Sequence, residues 1–378
     1  DNMNTSIQYT FPTDIESILK RIEAIDPIKY ARTRNIIDGD VTYLSPYISR
    51  GVISVKMVKD AVLKRGFKPY EIQKFLQELV WREYWQRIWQ NKRDEILTDL
   101  KQPQPDYLHK EIPDTIVSAN TSITAVDNYI MQLYEQGYLH NHMRMYVASI
   151  TCNMAKAHWL QPAKWLYYHL LDGDVASNHL SWQWVCGSAS SKKYYCNQEN
   201  INRYTGSKQQ QSFLAHEYDV LTTMPVPEEL KKTTALTLQT ILPNNGILNF
   251  DNNKQTCIYN SYNLDPFWRK EEDVNRILLL EPSHFNKYPV SQKVLDFIIA
   301  LSKNIEGIIL HVGEFKDLLT KYEQPEKSFI FKEHPLSTHY KGICDERDWI
   351  SKNSTGNFNS FFSFWKKVEK NDLQTFIK

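Results

Sequence analysis

The sequence lacks several features that would assign it to a class at once. No apolar run reaches the length of about 18 residues that a membrane-spanning helix needs. The N-terminus has no basic segment followed by an apolar stretch, which is the mark of a secretory leader. The five cysteines are scattered and form no CxxC pair, which disfavours a zinc site and a disulfide framework. We therefore expect a cytoplasmic protein that binds no metal.

Net charge is nearly absent as well, because 45 basic residues face 44 acidic residues in a chain of 378. An anionic partner would have to be met by a local patch rather than by bulk charge. Aromatic residues, in contrast, are abundant: they make up 13% of the chain, with 10 Trp and 22 Tyr. Most of the tryptophans lie between Trp81 and Trp184, so we expect a specialised interior in that part of the chain.

Helical periodicity dominates the first half of the chain. It predicts helices at residues 15–25, 52–63, 70–89, 123–138, 140–159, 162–171 and 174–185. The pattern then changes to polar stretches broken by short apolar runs, which are typical of a linker. Farther on, the apolar segments 276–281, 290–302 and 307–313 predict one strand–helix–strand unit, and residues 328–332 predict a third parallel strand.

The length predicts two or three domains, and these patterns predict a mainly α fold with a small α/β segment at its C-terminal side. The expected divisions are a helical domain at 1–205, a linker and irregular segment at 206–265, and a small α/β domain at 266–378.

Two clusters of polar and aromatic residues lie early in the helical part. The first joins Tyr30 and Arg34 to Thr42-Tyr-Leu-Ser-Pro-Tyr47 and Gly51-Val-Ile-Ser54; hydroxyls, an arginine and a helix start suit a phosphate, although such stretches also occur as capped turns. The second is Glu78-Leu-Val-Trp-Arg-Glu-Tyr-Trp85, which places Glu78 and Arg82 on one helix face. An exposed ion pair beside core aromatics is the alternative there.

The third cluster is the densest. His140-Asn-His-Met-Arg-Met145 places Asn141, Arg144 and Met145 on one helix face, and Asp172-Gly-Asp174 opens a helix with two carboxylates. The same segment continues through Asn178 to Trp182-Gln-Trp184, whose two tryptophans point to different sides. Taken singly, each piece also fits a cap, a satisfied amide or core packing; their conjunction favours a functional site.

These clusters, in this order and at these spacings, resemble the FAD-binding helical domain of the photolyase/cryptochrome family, and within it the photolyases of cyclobutane pyrimidine dimers. The resemblance covers about residues 13–205. It implies a light-driven DNA repair enzyme, a deoxyribodipyrimidine photolyase (a lyase), with FAD as cofactor and dimer-containing DNA as partner. The alternatives are a cryptochrome-like blue-light sensor without repair activity and a helical protein that has lost its flavin.

The resemblance assigns roles to individual side chains. The cofactor-binding residues that it implies are Tyr30, Thr42, Ser45, Arg82, Asn141, Arg144, Asp172, Asp174 and Asn178. Within this set, Arg144 and Asp172 are expected to pair beside the flavin ring, and Asn178 is expected to face its N5 atom. The substrate-binding residues that it implies are Arg34, Glu78, Trp81, Asn141, Met145 and Trp184. The catalytic roles go to Asn178, Glu78 and the tryptophans of electron transfer, Trp182 and Trp159.

The sequence departs from the family pattern in two respects. The third tryptophan of the usual relay falls near Asp106-Tyr107, where Tyr107 is the candidate substitute. The α/β segment follows the helical part instead of preceding it, and it carries no phosphate-loop motif, so we predict no antenna chromophore. For DNA binding, the candidate basic residues are Arg50, Lys56, Lys64, Arg65, Lys192, Lys193, Arg203 and Lys208.

Overall fold

The computed structural model describes residues 9–33, 42–246, 248–249, 251–321, 325 and 328–374. By compactness the chain forms two units, and both are discontinuous in sequence. The helical unit is built mainly from residues 92–238. The sheet unit combines residues 11–31 and 42–91 with 239–378. This division differs from the consecutive domains expected above, whose boundaries stay a prediction.

Five helices come first and lie in the sheet unit: α1 (Ile15–Glu23), α2 (Pro27–Thr33), α3 (Ser45–Ser49), α4 (Val55–Lys64) and α5 (Gln73–Lys92). Asp14 is the N-cap of α1, because its side chain accepts a hydrogen bond from the Ser17 amide at 3.0 Å. The expected helix start directly after Gly51 is wrong. Gly51 follows the end of α3 with φ +65°, and α4 begins at Val55 behind Ser54, which caps the amide of Met57 at 3.0 Å.

The helical unit continues with α6 (Asp114–Val117), α7 (Thr124–Gln136), α8 (Asn141–Ser149), α9 (Leu160–His169), α10 (Val175–Cys186), α11 (Gln198–Thr205) and α12 (Tyr218–Leu221). Gly137 ends α7 at φ +70°, as its position in the sequence predicts. The continuous helix expected over 140–159 is interrupted: α8 passes into a π-helical turn at Ile150–Met154, and Lys156 takes a positive φ of 61°. The unit also holds a short antiparallel pair, β1 (Ile112–Pro113) and β2 (Thr233–Thr234).

The sheet unit contains a sheet of five parallel strands: β3 (Thr256–Tyr259), β4 (Asn275–Leu280), β5 (Ile308–Val312), β6 (Phe329–Lys332) and β7 (Ile343–Asp345). Their order is β5-β4-β3-β6-β7. The remaining helices of the unit are α13 (Pro282–Lys287), α14 (Gln292–Ser302), α15 (Phe315–Lys321) and α16 (Phe361–Val368). The predicted strand–helix–strand unit is confirmed by the parallel pairing of β4 with β5, and the predicted third strand is β6.

The central strand β3 shows that the prediction of a linker and irregular segment at residues 206–265 is wrong in part. It lies inside residues 206–265, which were interpreted as linker and irregular chain, yet all four of its residues are buried and it pairs with both β4 and β6. A strand of four residues between polar loops, Thr256-Cys-Ile-Tyr259, is too short to show a period.

No helix among the described residues is both long enough and apolar enough to cross a membrane.

Gly51 is required where the chain turns between α3 and α4. A Cβ added there would overlap the carbonyl oxygen of Tyr262 and would lie 2.8 Å from its carbonyl carbon, and the φ of +65° is itself unfavourable for other residues. The neighbouring backbone is held in place, because the Leu264 amide donates to the Arg50 carbonyl at 3.0 Å.

We predict that Gly51→Ala lowers the free energy of unfolding by about 3 kcal/mol, as the sum of backbone strain and overlap with Tyr262. The control is Gly206→Ala. Gly206 has a similar φ of +78° but open space where the Cβ would lie, so it should cost only about 1 kcal/mol. Denaturant titration of both variants measures the difference; equal losses would show that the contact with Tyr262 is unimportant.

Candidate functional site

A buried ion pair joins α8 to the turn that precedes α10. The Arg144 guanidinium donates from Nη2 to Oδ2 of Asp172 at 2.8 Å, and its Nε donates to the Leu139 carbonyl at 2.5 Å. The Asp172 side chain is only 4% exposed and that of Arg144 is 22% exposed. Burial by itself lowers the pKa of Arg144, but the adjacent Asp172 carboxylate outweighs it, so the pKa of Arg144 is raised. The pairing expected from the sequence is therefore present.

The two other polar residues expected near the flavin are anchored on α10. Asp174 is the N-cap of this helix, and its Oδ2 accepts hydrogen bonds from the amide of Ser177 at 2.8 Å and from its hydroxyl at 2.7 Å. Asn178 is buried, and its Nδ2 donates to the Ala163 carbonyl of α9 at 2.9 Å. This anchor uses the amide nitrogen, so it does not occupy the carbonyl Oδ1, which is a hydrogen-bond acceptor.

Three residues expected to bind substrate lie on α8 and α10. Asn141 is exposed, and its amide nitrogen lies 3.9 Å from the sulfur of Met145 one turn later, so the expected common face of α8 is confirmed. On α10, Trp182 is 2% exposed whereas Trp184 is 44% exposed. The expectation that these two tryptophans point to different sides is also confirmed.

The remaining expected residues lie in the sheet unit, except Arg34, which falls outside the described residues. Ser45 is the first residue of α3, and Thr42 lies on the segment just before it. Arg82 on α5 donates to the hydroxyl of Ser49 at 2.7 Å, which ties α5 to the end of α3. Tyr30 on α2 packs edge-on against Phe75 of α5, with ring centroids 5.5 Å apart.

Glu78 and Trp81 belong to α5, and both are partly exposed. Trp81 contacts Trp85 one turn later, with ring centroids 5.3 Å apart, so these two rings share a helix face as their spacing predicts.

The basic residues that the sequence suggests for DNA binding differ in how far they are exposed to solvent. Lys64 and Arg65 are exposed, but Arg50 is fully buried with its guanidinium over the ring of Tyr262, so its expected role at a DNA-binding surface is wrong.

Trp159 has a polar partner that the sequence did not indicate. Its indole N–H donates to Oδ1 of Asp99 at 2.7 Å, and the same oxygen lies 3.0 Å from Nε2 of His158. The ring of His158 in turn meets Tyr107 edge-on at 5.0 Å, and Tyr107 is 38% exposed. A line of aromatic rings therefore runs from the fully buried Trp159 through His158 to the surface. Asp99 is a lone carboxylate 60 residues before its partner, so no local signal could have found it.

The helical unit offers what a redox-active flavin needs from its surroundings. A fixed cation at Arg144 can stabilise negative charge, a neutral amide at Asn178 can accept a hydrogen bond, and buried aromatic rings can carry an electron. No group of three or more His, Cys, Asp or Glu side chains among the described residues is arranged to hold a metal ion.

Comparison with known proteins agrees with this chemistry. A family model described as the FAD binding domain of DNA photolyase matches residues 75–225. A deoxyribodipyrimidine photo-lyase of Streptomyces griseus is 29% identical over 158 residues, which are 41% of this chain and 34% of that protein. A cryptochrome DASH of Idiomarina loihiensis is 29% identical over 185 residues, 47% of this chain and 41% of its own length. A solved cryptochrome structure from Synechocystis sp. is 22% identical, with a TM-score of 0.46 over 59% of this chain and 49% of that one.

The chain spans about a third of the length of the curated photo-lyases that it matches. The matched segment contains Arg82, Arg144, Asp172 and Asn178, and its family model names FAD as the cofactor. Residues 75–225 are therefore similar to the FAD-binding domain of DNA photolyase, and this part of the chain resembles both photo-lyases and a cryptochrome DASH.

Proposed function

We propose that the protein is a light-driven DNA repair flavoprotein that splits cyclobutane pyrimidine dimers by electron transfer from reduced FAD. The observation that supports this best is the arrangement of α10, where a buried Trp182 and an exposed Trp184 are separated by one residue. An exposed indole ring offers a stacking surface to a base, an interaction that contributes about 1–3 kcal/mol per base. One helix thus presents a stacking ring outside and an electron-transfer ring inside.

In this proposal, the cofactor residues are those named from the resemblance. FAD, when bound, would supply an electron on illumination; the two C–C bonds that link the pyrimidines would break, and the electron would return to the flavin once both pyrimidines are restored. Arg144 stabilises negative charge on the reduced flavin, and Asp172 keeps the guanidinium oriented. Asn178 accepts a hydrogen bond through Oδ1. Tyr30, Thr42, Ser45 and Arg82 would provide hydroxyls and a cation for the phosphates and neighbouring groups. Asp174 would bind near the ribose or the carbonyl side of the flavin.

The substrate residues act on a dinucleotide flipped out of the duplex, which is less costly for a damaged and poorly paired dimer. Trp81 and Trp184 stack on the bases, and Glu78 and Asn141 offer hydrogen bonds to the base edges. Met145 supplies a polarizable apolar contact beside Asn141. Arg34 is proposed to contribute to the same binding. The exposed Arg65, Arg203 and Lys208 are candidates for phosphate contacts.

Trp182 and Trp159 relay electrons to the flavin in this proposal, with His158 and Tyr107 continuing the line to solvent. Asp99 accepts the indole N–H of Trp159 and places a negative charge beside it. A carboxylate at that position stabilises the positive charge that Trp159 carries when it has given up an electron.

The first prediction from this proposed function concerns the ion pair between Arg144 and Asp172. Asp172→Ala should weaken FAD retention at least tenfold, because Arg144 loses the partner that orients it, and it should lower the stability by about 3 kcal/mol, because a buried charge is left uncompensated. The flavin absorbance that remains per protein after gel filtration and the thermal unfolding of the flavin-free protein measure the two effects. The control is Asp60→Ala, which removes an exposed ion pair with Lys56; full FAD retention in both variants would reject the proposed role.

The second prediction concerns the electron relay. Asp99→Asn keeps a hydrogen-bond acceptor for Trp159 but removes the charge, so the rate of flavin photoreduction should fall severalfold. Asp106→Asn is the control, because that carboxylate is 73% exposed and pairs with Lys193 instead. Bleaching of the flavin spectrum under blue light with a thiol donor gives the rates. Identical rates in the wild type and Asp99→Asn would show that the carboxylate has no part in the relay.

The third prediction tests repair itself. Wild-type protein with fully reduced FAD should restore irradiated oligothymidine under light and not in the dark. Asn141→Ala, compared with the wild type at equal FAD content, should bind the dimer about fivefold more weakly through the loss of one hydrogen bond to a base. Asn120→Ala, which removes another exposed amide, is the control. Wild-type protein that holds reduced FAD but restores no dimers would favour the light-sensor function instead.

A further inference from the structure

The C-terminal helix α16 stacks on the tryptophan that is proposed to hold a base. The rings of Trp81 on α5 and Phe361 on α16 are nearly parallel, at 8°, and their centroids are 3.8 Å apart. This is a face-to-face contact between residues 280 positions apart in the sequence, on two elements of the sheet unit. Nothing in the function proposed above uses Phe361.

Phe361 is itself held firmly. It is 4% exposed, and the neighbouring residues of α16, Phe364 and Trp365, are 0% and 3% exposed. Tyr84 contacts both Phe361 and Phe364, with ring centroids 5.8 and 5.7 Å apart. The helix starts at the N-cap Ser360, whose hydroxyl accepts from the Ser363 amide at 3.2 Å. An apolar ring buried to this degree is costly to displace, so the stack on Trp81 is a permanent contact rather than a removable cover.

Trp81 keeps part of its surface exposed despite this contact. Phe361 covers one face of the indole, while Tyr84 and Trp85 approach it at 5.7 and 5.3 Å between centroids. These contacts restrict the rotation of the side chain and define the plane of the ring. A ring already held in its binding orientation loses little conformational freedom when a ligand stacks on it.

We propose that Phe361 is a positioning residue for base recognition: it holds the indole plane of Trp81 for the pyrimidine that stacks there. This inference rests on the proposed repair function. The inference gives helix α16 a role in selecting a dinucleotide that has left the base stack. Phe361 acts through Trp81 and does not touch the substrate.

The experiment compares Phe361→Leu with Phe362→Leu. Both substitutions lie on α16, but Phe362 is 64% exposed and does not stack on Trp81. We expect Phe361→Leu to bind irradiated oligothymidine about fivefold more weakly, which corresponds to about 1 kcal/mol, and to raise the KM of repair without changing kcat. Phe362→Leu should behave as the wild type, and Phe361→Tyr, which keeps the ring, should restore binding.

A double-mutant cycle separates positioning from general stability. In a Trp81→Phe background, Phe361→Leu should cause much less than the fivefold loss, because the ring that it positions is gone. Thermal unfolding of each variant gives the folded fraction. A loss of binding that is the same in both backgrounds, or one that follows the folded fraction alone, would overturn the inference and leave the repair function standing. Wild-type protein that does not distinguish irradiated from unirradiated oligothymidine would instead overturn the proposed function and this inference together.

Discussion

The organisation of the candidate site depends on one buried ion pair. Removing a guanidinium and a carboxylate from water is expensive unless the two remain together with further hydrogen bonds. The Arg144–Asp172 pair meets that condition, because Arg144 also donates to the Leu139 carbonyl. The constraint links the start of α8 to the turn before α10, and α10 carries Asn178, Trp182 and Trp184. This ion pair therefore helps to hold in place the helix that carries the proposed flavin, relay and stacking residues of the helical unit.

Much of this arrangement could be predicted from the sequence, because it depends on local spacing. The common face of Asn141 and Met145, the cap at Asp174 and the opposite directions of Trp182 and Trp184 all follow from helical geometry. The parallel pairing of β4 and β5 was visible for the same reason, since each strand is a compact apolar run and a helix separates them. The family resemblance added the pairing of Arg144 with Asp172, which spacing alone left open.

The remaining features could not be predicted, because they arise between residues that are distant in sequence. The proposed role of Asp99 is evident only from its hydrogen bond with Trp159, and that of Phe361 only from its stacking on Trp81. The strand β3 is stabilised by two neighbours that lie later in the chain, so its own four residues carry little signal. The burial of Arg50 has the same cause, because its cover is Tyr262, more than 200 residues away.

The sheet unit combines helices from the first quarter of the chain with strands and further helices from the last third. The two parts are joined closely: the Ile15 amide donates to Oδ1 of Asn304 at 2.9 Å, and Nδ2 of Asn304 donates to the Thr13 carbonyl at 2.6 Å. During synthesis, residues 11–91 leave the ribosome on the order of ten seconds before residues 239 onward exist. Most of the helical unit, residues 92–238, is synthesised in that interval. The contacts that join the early residues to the last third of the chain, such as those of Thr13 and Ile15 with Asn304, can therefore form only after the middle of the polypeptide has been made.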